Sequence, residues 1–175
     1  MNITKTFIDG VFVIEPDVHK DKRGLLFESF HENRYGDLCE RFVLDIFYYA
    51  HKNVLKGLHY SRRSAQLINI VHGVIYDVVV DLRKESKTFK QHFCIQLDAN
   101  NPKQIYMPSR CAHGLYVLSD DAVLAYKCSR HYDTSDDLSV MWNDPELGIK
   151  WPLTSEPILS DKDIRGEYVS NVEFC

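Results

Sequence analysis

Apolar and polar positions alternate with period two over much of the chain, in runs rich in β-branched residues. Leu67-Ile68-Asn69-Ile70-Val71, then His72-Gly73, then Val74-Ile75-Tyr76-Asp77-Val78-Val79-Val80-Asp81-Leu82 predicts two strands joined as a hairpin. Further strands are expected over 11–14, 25–30, 42–49, 92–97, 104–107, 114–118 and 123–129. Turn formers punctuate them, as in Asp98-Ala99-Asn100-Asn101-Pro102 and Ser119-Asp120-Asp121. Helix is expected only over 32–41, where Tyr35, Leu38 and Cys39 share a face, and after the capping sequence Ser160-Asp161-Lys162-Asp163 near the C-terminus. Many short, closely spaced strands with little helix predict an all-β fold, a jelly roll.

Length adds that 1–175 should form one domain. With 21 basic against 25 acidic residues and a net charge of -4, no positive field favours nucleic acid as a partner. No apolar run approaches the ~18 residues of a membrane span, and the N-terminal residues carry no secretory pattern. The five cysteines, Cys39, Cys94, Cys111, Cys128 and Cys175, are odd in number and form no Cys-x-x-Cys pair. Cys94, between Phe93 and Ile95, reads as a small buried thiol. A cytoplasmic protein is expected.

Individual residues are less decisive. His59, in Lys56-Gly57-Leu58-His59-Tyr60, alternates with Leu58 and Tyr60 and so faces away from them. Cupin-type barrels often hold a metal through His-x-His, but Ser61 stands two residues after His59, so no metal is expected. His113 lies in the rigid context Pro108-Ser109-Arg110-Cys111-Ala112-His113-Gly114, Tyr126 alternates with Lys127, and Arg23 sits in the turn Asp21-Lys22-Arg23-Gly24. Taken singly, each reads as well as a core, rim or turn residue.

Taken in order, the motifs say more. Asp21-Lys22-Arg23-Gly24 with Phe27-Glu28-Ser29-Phe30, Gly57-Leu58-His59-Tyr60, the run from Gly73 to Phe89, Ala112-His113-Gly114, Tyr126-Lys127, Trp142-Asn143-Asp144-Pro145, Ile149-Lys150-Trp151-Pro152 and Leu159-Ser160-Asp161-Lys162-Asp163 together resemble the dTDP-4-dehydrorhamnose 3,5-epimerase family. The resemblance runs from about residue 12 to residue 163. It implies a cupin-like jelly-roll barrel that forms a homodimer, needs no metal or other cofactor, and takes a nucleoside-diphosphate 4-keto-6-deoxyhexose as substrate. Epimerisation at C3, C5 or both would proceed through an enolate of the C4 ketone.

The resemblance also implies roles. His59 falls at the family's base, Asp163 at the carboxylate that orients it, and Tyr126 at the acid, with His113 in the same site. Arg23 falls at a diphosphate partner, and Phe27 and Glu28 at pocket positions that reach into the partner subunit's site. Several positions depart from the family. Lys56 replaces an Arg, and Gln66 replaces a Lys that holds the enolate oxygen, where a neutral amide is a weaker donor. Arg110, in Ser109-Arg110-Cys111, would add a cation near His113, and His131 stands where an aromatic Tyr stacks on thymine. Leu44 and Ile46 replace a Gln and an Asn. Two other readings stay open: a sugar-nucleotide 3,4-ketoisomerase, whose usual His-x-His is broken by Tyr60-Ser61, and a binding homologue inactivated through Gln66.

Overall fold

The computed structural model describes residues 1–36 and 40–174. Thirteen strands follow one another: β1 (Asn2–Lys5), β2 (Phe12–Glu15), β3 (His19–Asp21), β4 (Gly24–Leu26), β5 (Leu44–His51), β6 (Leu55–Ser61), β7 (Gln66–His72), β8 (Val74–Asp81), β9 (His92–Asp98), β10 (Gln104–Met107), β11 (Cys111–Val117), β12 (Asp121–Cys128) and β13 (Asp137–Ser139). Among the described residues, two short α-helices, α1 (Glu32–Tyr35) and α2 (Asp161–Ile164), and two 3-10 turns, Thr134–Asp136 and Val169–Asn171, complete the regular structure. The strands form a six-stranded sheet, β1-β2-β10-β7-β12-β5, and a five-stranded sheet, β13-β6-β11-β8-β9, with β3 and β4 as a separate ribbon.

Alternation explains the layers. Along β12, Ala122, Leu124, Tyr126 and Cys128 are buried while Val123, Ala125 and Lys127 are not. The buried set meets Ile68 and Ile70 of β7, Ile75 and Val79 of β8, and Leu115 and Val117 of β11 in the main core between the sheets. The five-stranded sheet is covered on its other face as well. Leu58, Tyr60, Val78, Val80 and Ala112 pack there against Val140, Leu147, Val169 and Phe174 from the C-terminal segment. Burial on both faces is why Val78-Val79-Val80 reads as a continuous apolar run rather than an alternating one.

Three expectations need correction. β7 and β8 are not a hairpin; they lie in different sheets, and the chain crosses between them at Gly73. Gly73 has φ +79°, and a Cβ there would lie 2.1 Å from the carbonyl oxygen of Asp121, so the corner requires glycine. Periodicity fixes which face of a strand is apolar, not which strand it pairs with, so a corner and a hairpin look alike in sequence. The helix over 32–41 is described only as Glu32–Tyr35, held by Tyr35, whose buried hydroxyl donates to Gln104 Oε1 at 2.9 Å; Leu38 and Cys39 lie outside the described residues. Cys94 is half-buried rather than enclosed.

Two carboxylates are tied unusually tightly. Asp81 has no exposed side-chain surface and accepts from Arg83 Nε at 2.8 Å, Ser86 Oγ at 2.5 Å and Thr88 Oγ1 at 2.6 Å. Burial alone would raise its pKa, but these donors hold it at about 2, against an ordinary 3.8. Asp163 is held at about 2 in the same way, burial being outweighed by hydrogen bonds from His59 and Ser160. Such groups bind protons less readily folded than unfolded, so their contribution is complete above the unfolded value and is lost as pH falls to about 2. Urea midpoints should therefore hold steady down to about pH 4 and fall below it, by roughly 2 kcal/mol per group. Asp81→Asn should be less stable at neutral pH and show a shallower acid slope; an unchanged slope would refute the assignment.

Candidate active site

Strand β6 carries the first half of the site. Its register against β11 pairs His59 with His113, then shifts so that Lys56 pairs with Leu115. Gly57 and Leu58 thus oppose Gly114 alone, which is a β-bulge. Gly57 sits at φ +104°, and a Cβ there would lie 2.4 Å from the carbonyl oxygen of His113, so no other residue fits. Strict alternation would put Lys56 on the face of Leu58 and Tyr60; the bulge turns it to the side of His59. Both side chains line one cavity of about 240 Å³ at the mouth between the two sheets.

A capping box carries the second half. Ser160 caps α2, its Oγ accepting from the Asp163 backbone N–H at 3.2 Å and donating to Asp163 Oδ2 at 2.6 Å. The other carboxylate oxygen, Oδ1, accepts from the Gly57 N–H at 3.0 Å and from His59 Nε2 at 2.8 Å. With the carboxyl held at about 2, Asp163 is ionised at neutral pH and only accepts, so the His59 proton resides on Nε2. Nδ1 is left with its lone pair, 3.3 Å from Lys56 Nζ. Burial pushes the His59 pKa below its usual 6.5, against the pull of Asp163, with the neighbouring Lys56 charge adding to the depression.

His113 has its own carboxylate. Its Nε2 lies 2.7 Å from Oδ2 of Asp77, a residue with no exposed surface, and the imidazole reaches the cavity beside His59. From the opposite sheet comes Tyr126 of β12. Its ring stands edge-on to His113 at 6.3 Å and stacks near Tyr48 at 6.5 Å. Its hydroxyl is buried with no hydrogen-bond partner among the described residues. Burial first, then the Asp77 charge, pushes the phenol well above its usual pKa, so it keeps its proton. Gln66 and His131 line the same cavity, whose walls toward β5 and β12 are the apolar Leu44, Ile46 and Cys128.

Other expected site residues are not brought here. Arg110 adopts φ +68° in the turn before β11, where its backbone N–H donates to Ser61 O, and its guanidinium turns away to Glu85 at 3.2 Å. It therefore adds no cation beside His113, contrary to the sequence expectation. Arg23 is exposed on the β3–β4 ribbon and pairs with Asp21 at 2.6 Å. Glu28 pairs with Arg34 at 2.8 Å, and neither it nor Phe27 lines this cavity.

Comparison with known proteins decides the family. The model of the dTDP-4-dehydrorhamnose 3,5-epimerase family matches residues 5–171. The chain belongs to this family. It is 40% identical to the dTDP-4-dehydrorhamnose 3,5-epimerase of Salmonella typhimurium, over 93% of this chain and 92% of that protein. Among solved structures, it is similar to a dTDP-6-deoxy-D-glucose-3,5-epimerase from Legionella pneumophila in complex with dTDP-4-keto-L-rhamnose. The TM-score is 0.94 at 39% identity, covering 98% of this chain and 94% of that one. A 3'-monoepimerase from Streptomyces bikiniensis, in complex with dTDP-quinovose, matches with TM-score 0.89 at 32% identity, covering 94% and 86% of the two chains.

Membership in the 3,5-epimerase family makes this chain an enzyme with a cupin-like jelly-roll fold. Sequence reasoning missed two groups that the family fold brings to the site. Asp77 was hidden inside the strand run Tyr76-Asp77-Val78, although a carboxylate at an inward strand position is itself a signal of a buried partner. Asp136 accepts from Ser61 Oγ at 2.6 Å and the Arg62 N–H at 3.1 Å, pinning the loop at the cavity mouth. No local pattern marks it.

Proposed function

We propose that this epimerase inverts C3, C5 or both of a nucleoside-diphosphate 4-keto-6-deoxyhexose in the synthesis of an activated deoxysugar. The observation that carries the reading is an Asp163-braced imidazole on one sheet and an unpartnered phenol hydroxyl on the other, with a sugar-sized cavity between them. His59 Nδ1 takes the proton from the carbon next to the ketone; the C–H pair becomes a C=C bond and the carbonyl π pair moves onto oxygen. Tyr126 returns a proton from the opposite face: the pair on oxygen re-forms the carbonyl, the C=C pair becomes the new C–H bond, the O–H pair stays on the phenolate, and solvent resets the imidazolium and phenolate. Asp163 fixes the tautomer and stabilises the imidazolium, as a triad carboxylate does.

The whole chain acts as one epimerase domain in this reading, in a reducing cytoplasm that suits its free Cys94, Cys111 and Cys128. A homodimer accounts for the exposed apolar side chains Leu26, Phe47, Tyr49 and Val71 and for the open edge of β5. It would also give Arg23, Phe27 and Glu28 a partner's cavity to enter. A sedimentation mass equal to one chain would exclude that part of the reading.

The experiment is incubation with dTDP-4-keto-6-deoxyglucose in heavy water, followed by NMR. Deuterium should enter at C3, C5 or both, with inversion there and the ketone still at C4. A ketone moved to C3 would instead identify a ketoisomerase. Tight dTDP binding with no deuterium uptake would identify a binding homologue.

A further inference from the structure

We propose that Lys56 is a catalytic residue of this reaction, its ammonium holding the negatively charged oxygen of the C4 enolate. The inference rests on the proton-transfer reading above and supplies the one group it lacks. An enolate concentrates charge on oxygen, and in a partly desolvated cavity a preorganised cation there lowers the barrier more than any other single group.

Among the described residues, Lys56 and Arg130 are the lysines and arginines that line the cavity. Arg130 is engaged at the rim, with Nη1 donating to Ser129 O at 2.8 Å and Nη2 paired with Glu40 at 3.3 Å. The cations nearby are engaged too: Arg63 with Asp133 at 2.6 Å, Lys162 with Asp137 at 2.5 Å, and Lys127 with Asp45 at 2.8 Å. Lys56 differs from all of them. It is half-buried, lies 5.3 Å from the centre of the Tyr48 ring, and forms no ion pair with any carboxylate among the described residues. Its hydrogen-bond contact is with Nδ1 of His59, at 3.3 Å.

That nitrogen is the one left to take the substrate proton. The ammonium thus stands beside the point where the C–H bond breaks, and the ketone oxygen lies two bonds from either reacting carbon. When a 4-keto sugar enters, Lys56 transfers its hydrogen bond from Nδ1 to that oxygen, and the lone pair of the base is released in the same movement. No proton leaves the ammonium; it holds the oxygen while the enolate lasts and remains when Tyr126 reprotonates carbon. Burial lowers the Lys56 pKa, with the Asp163 charge opposing, which makes the ammonium a stronger donor to an oxyanion. The bulge at Gly57 is what puts this lysine and the base on one side of the strand. Gln66, also in the cavity, adds at most a neutral donor.

Lys56→Met, Lys56→Gln and Lys56→Arg would be compared with the parent chain by deuterium uptake from heavy water into dTDP-4-keto-6-deoxyglucose, with dTDP affinity measured by calorimetry. Met and Gln should each lower the plateau rate on the order of 10²–10³-fold. Arg should recover at least about tenfold of that loss, and dTDP affinity should stay within about threefold throughout. The proposal is overturned if both neutral variants exchange near the parent rate, or if the loss lies in dTDP affinity, which would make Lys56 a phosphate partner. It is also overturned if only the acid limb of the rate profile moves while the plateau holds. Lys56 would then act solely through His59, which is faced as well by Asp163, Lys162, Asp137 and His113. Absence of exchange by the parent chain would sink the epimerase reading itself.

Discussion

His59→Asn should reduce solvent exchange and product formation on the order of 10³–10⁴-fold, with the melting temperature little changed. The separation of the two effects follows from the hydrogen bonds around Asp163. Losing the imidazole removes one donor, but the carboxylate keeps the Gly57 N–H at 3.0 Å and Ser160 Oγ at 2.6 Å, so no buried charge is left unpaired. Asp163→Asn should cost similar activity for a different reason. The amide can no longer only accept, so it faces the donors of Gly57 and Ser160 with an N–H₂ of its own, and His59 loses the partner that holds its proton on Nε2. That variant should lose stability as well as rate. Heavy-water exchange and thermal denaturation on both variants make the test. His59→Asn exchanging near the parent rate would falsify the assignment of the base.

Tyr126→Phe should abolish inversion, on the order of 10²–10⁴-fold, while leaving the fold at least as stable as the parent. The hydroxyl is buried without a partner among the described residues, so it carries a desolvation cost and returns no folded-state hydrogen bond. Removing it deletes that cost. With the base intact, deprotonation and return of a proton from the His59 side continue, so deuterium should still enter the substrate with its configuration retained. The measurement is the ratio of isotope exchange to epimer formed, which should rise sharply. A variant that inverts at the parent rate would show that another group returns the proton.

Much of this was legible before any coordinates. Strand β10 lies where its apolar run put it, at Gln104–Met107, and β12 alternates as Ala122, Leu124, Tyr126 and Cys128 require. The capping sequence at Ser160 became a true capping box, because serine hydroxyl and a carboxylate three residues on satisfy each other locally. These are near-neighbour effects, decided within a few residues. The family resemblance then brought His59, Asp163, Tyr126, His113 and Gln66 forward as candidates, and the fold gathers them at one cavity or, for Asp163, directly behind it.

Arg110 shows where such reading stops. Three residues before an inward histidine, it looks like a neighbour of His113, yet its left-handed turn conformation sends the guanidinium to Glu85. Asp77 shows the reverse: nothing nearby in sequence pairs with it, and its partner His113 is met across the strand register.

By itself, then, the order of residues determined the strands, which side of each is apolar, the helix cap, and the types of side chain available for proton transfer, since all of these depend on short-range sterics and hydrophobic periodicity. Only the tertiary structure decided that the chain changes sheets at Gly73, that a bulge at Gly57 turns Lys56 toward His59, and that Asp163 meets an imidazole 104 positions away. Those outcomes are set by packing between distant segments, where one extra residue in a strand reverses the direction of a side chain.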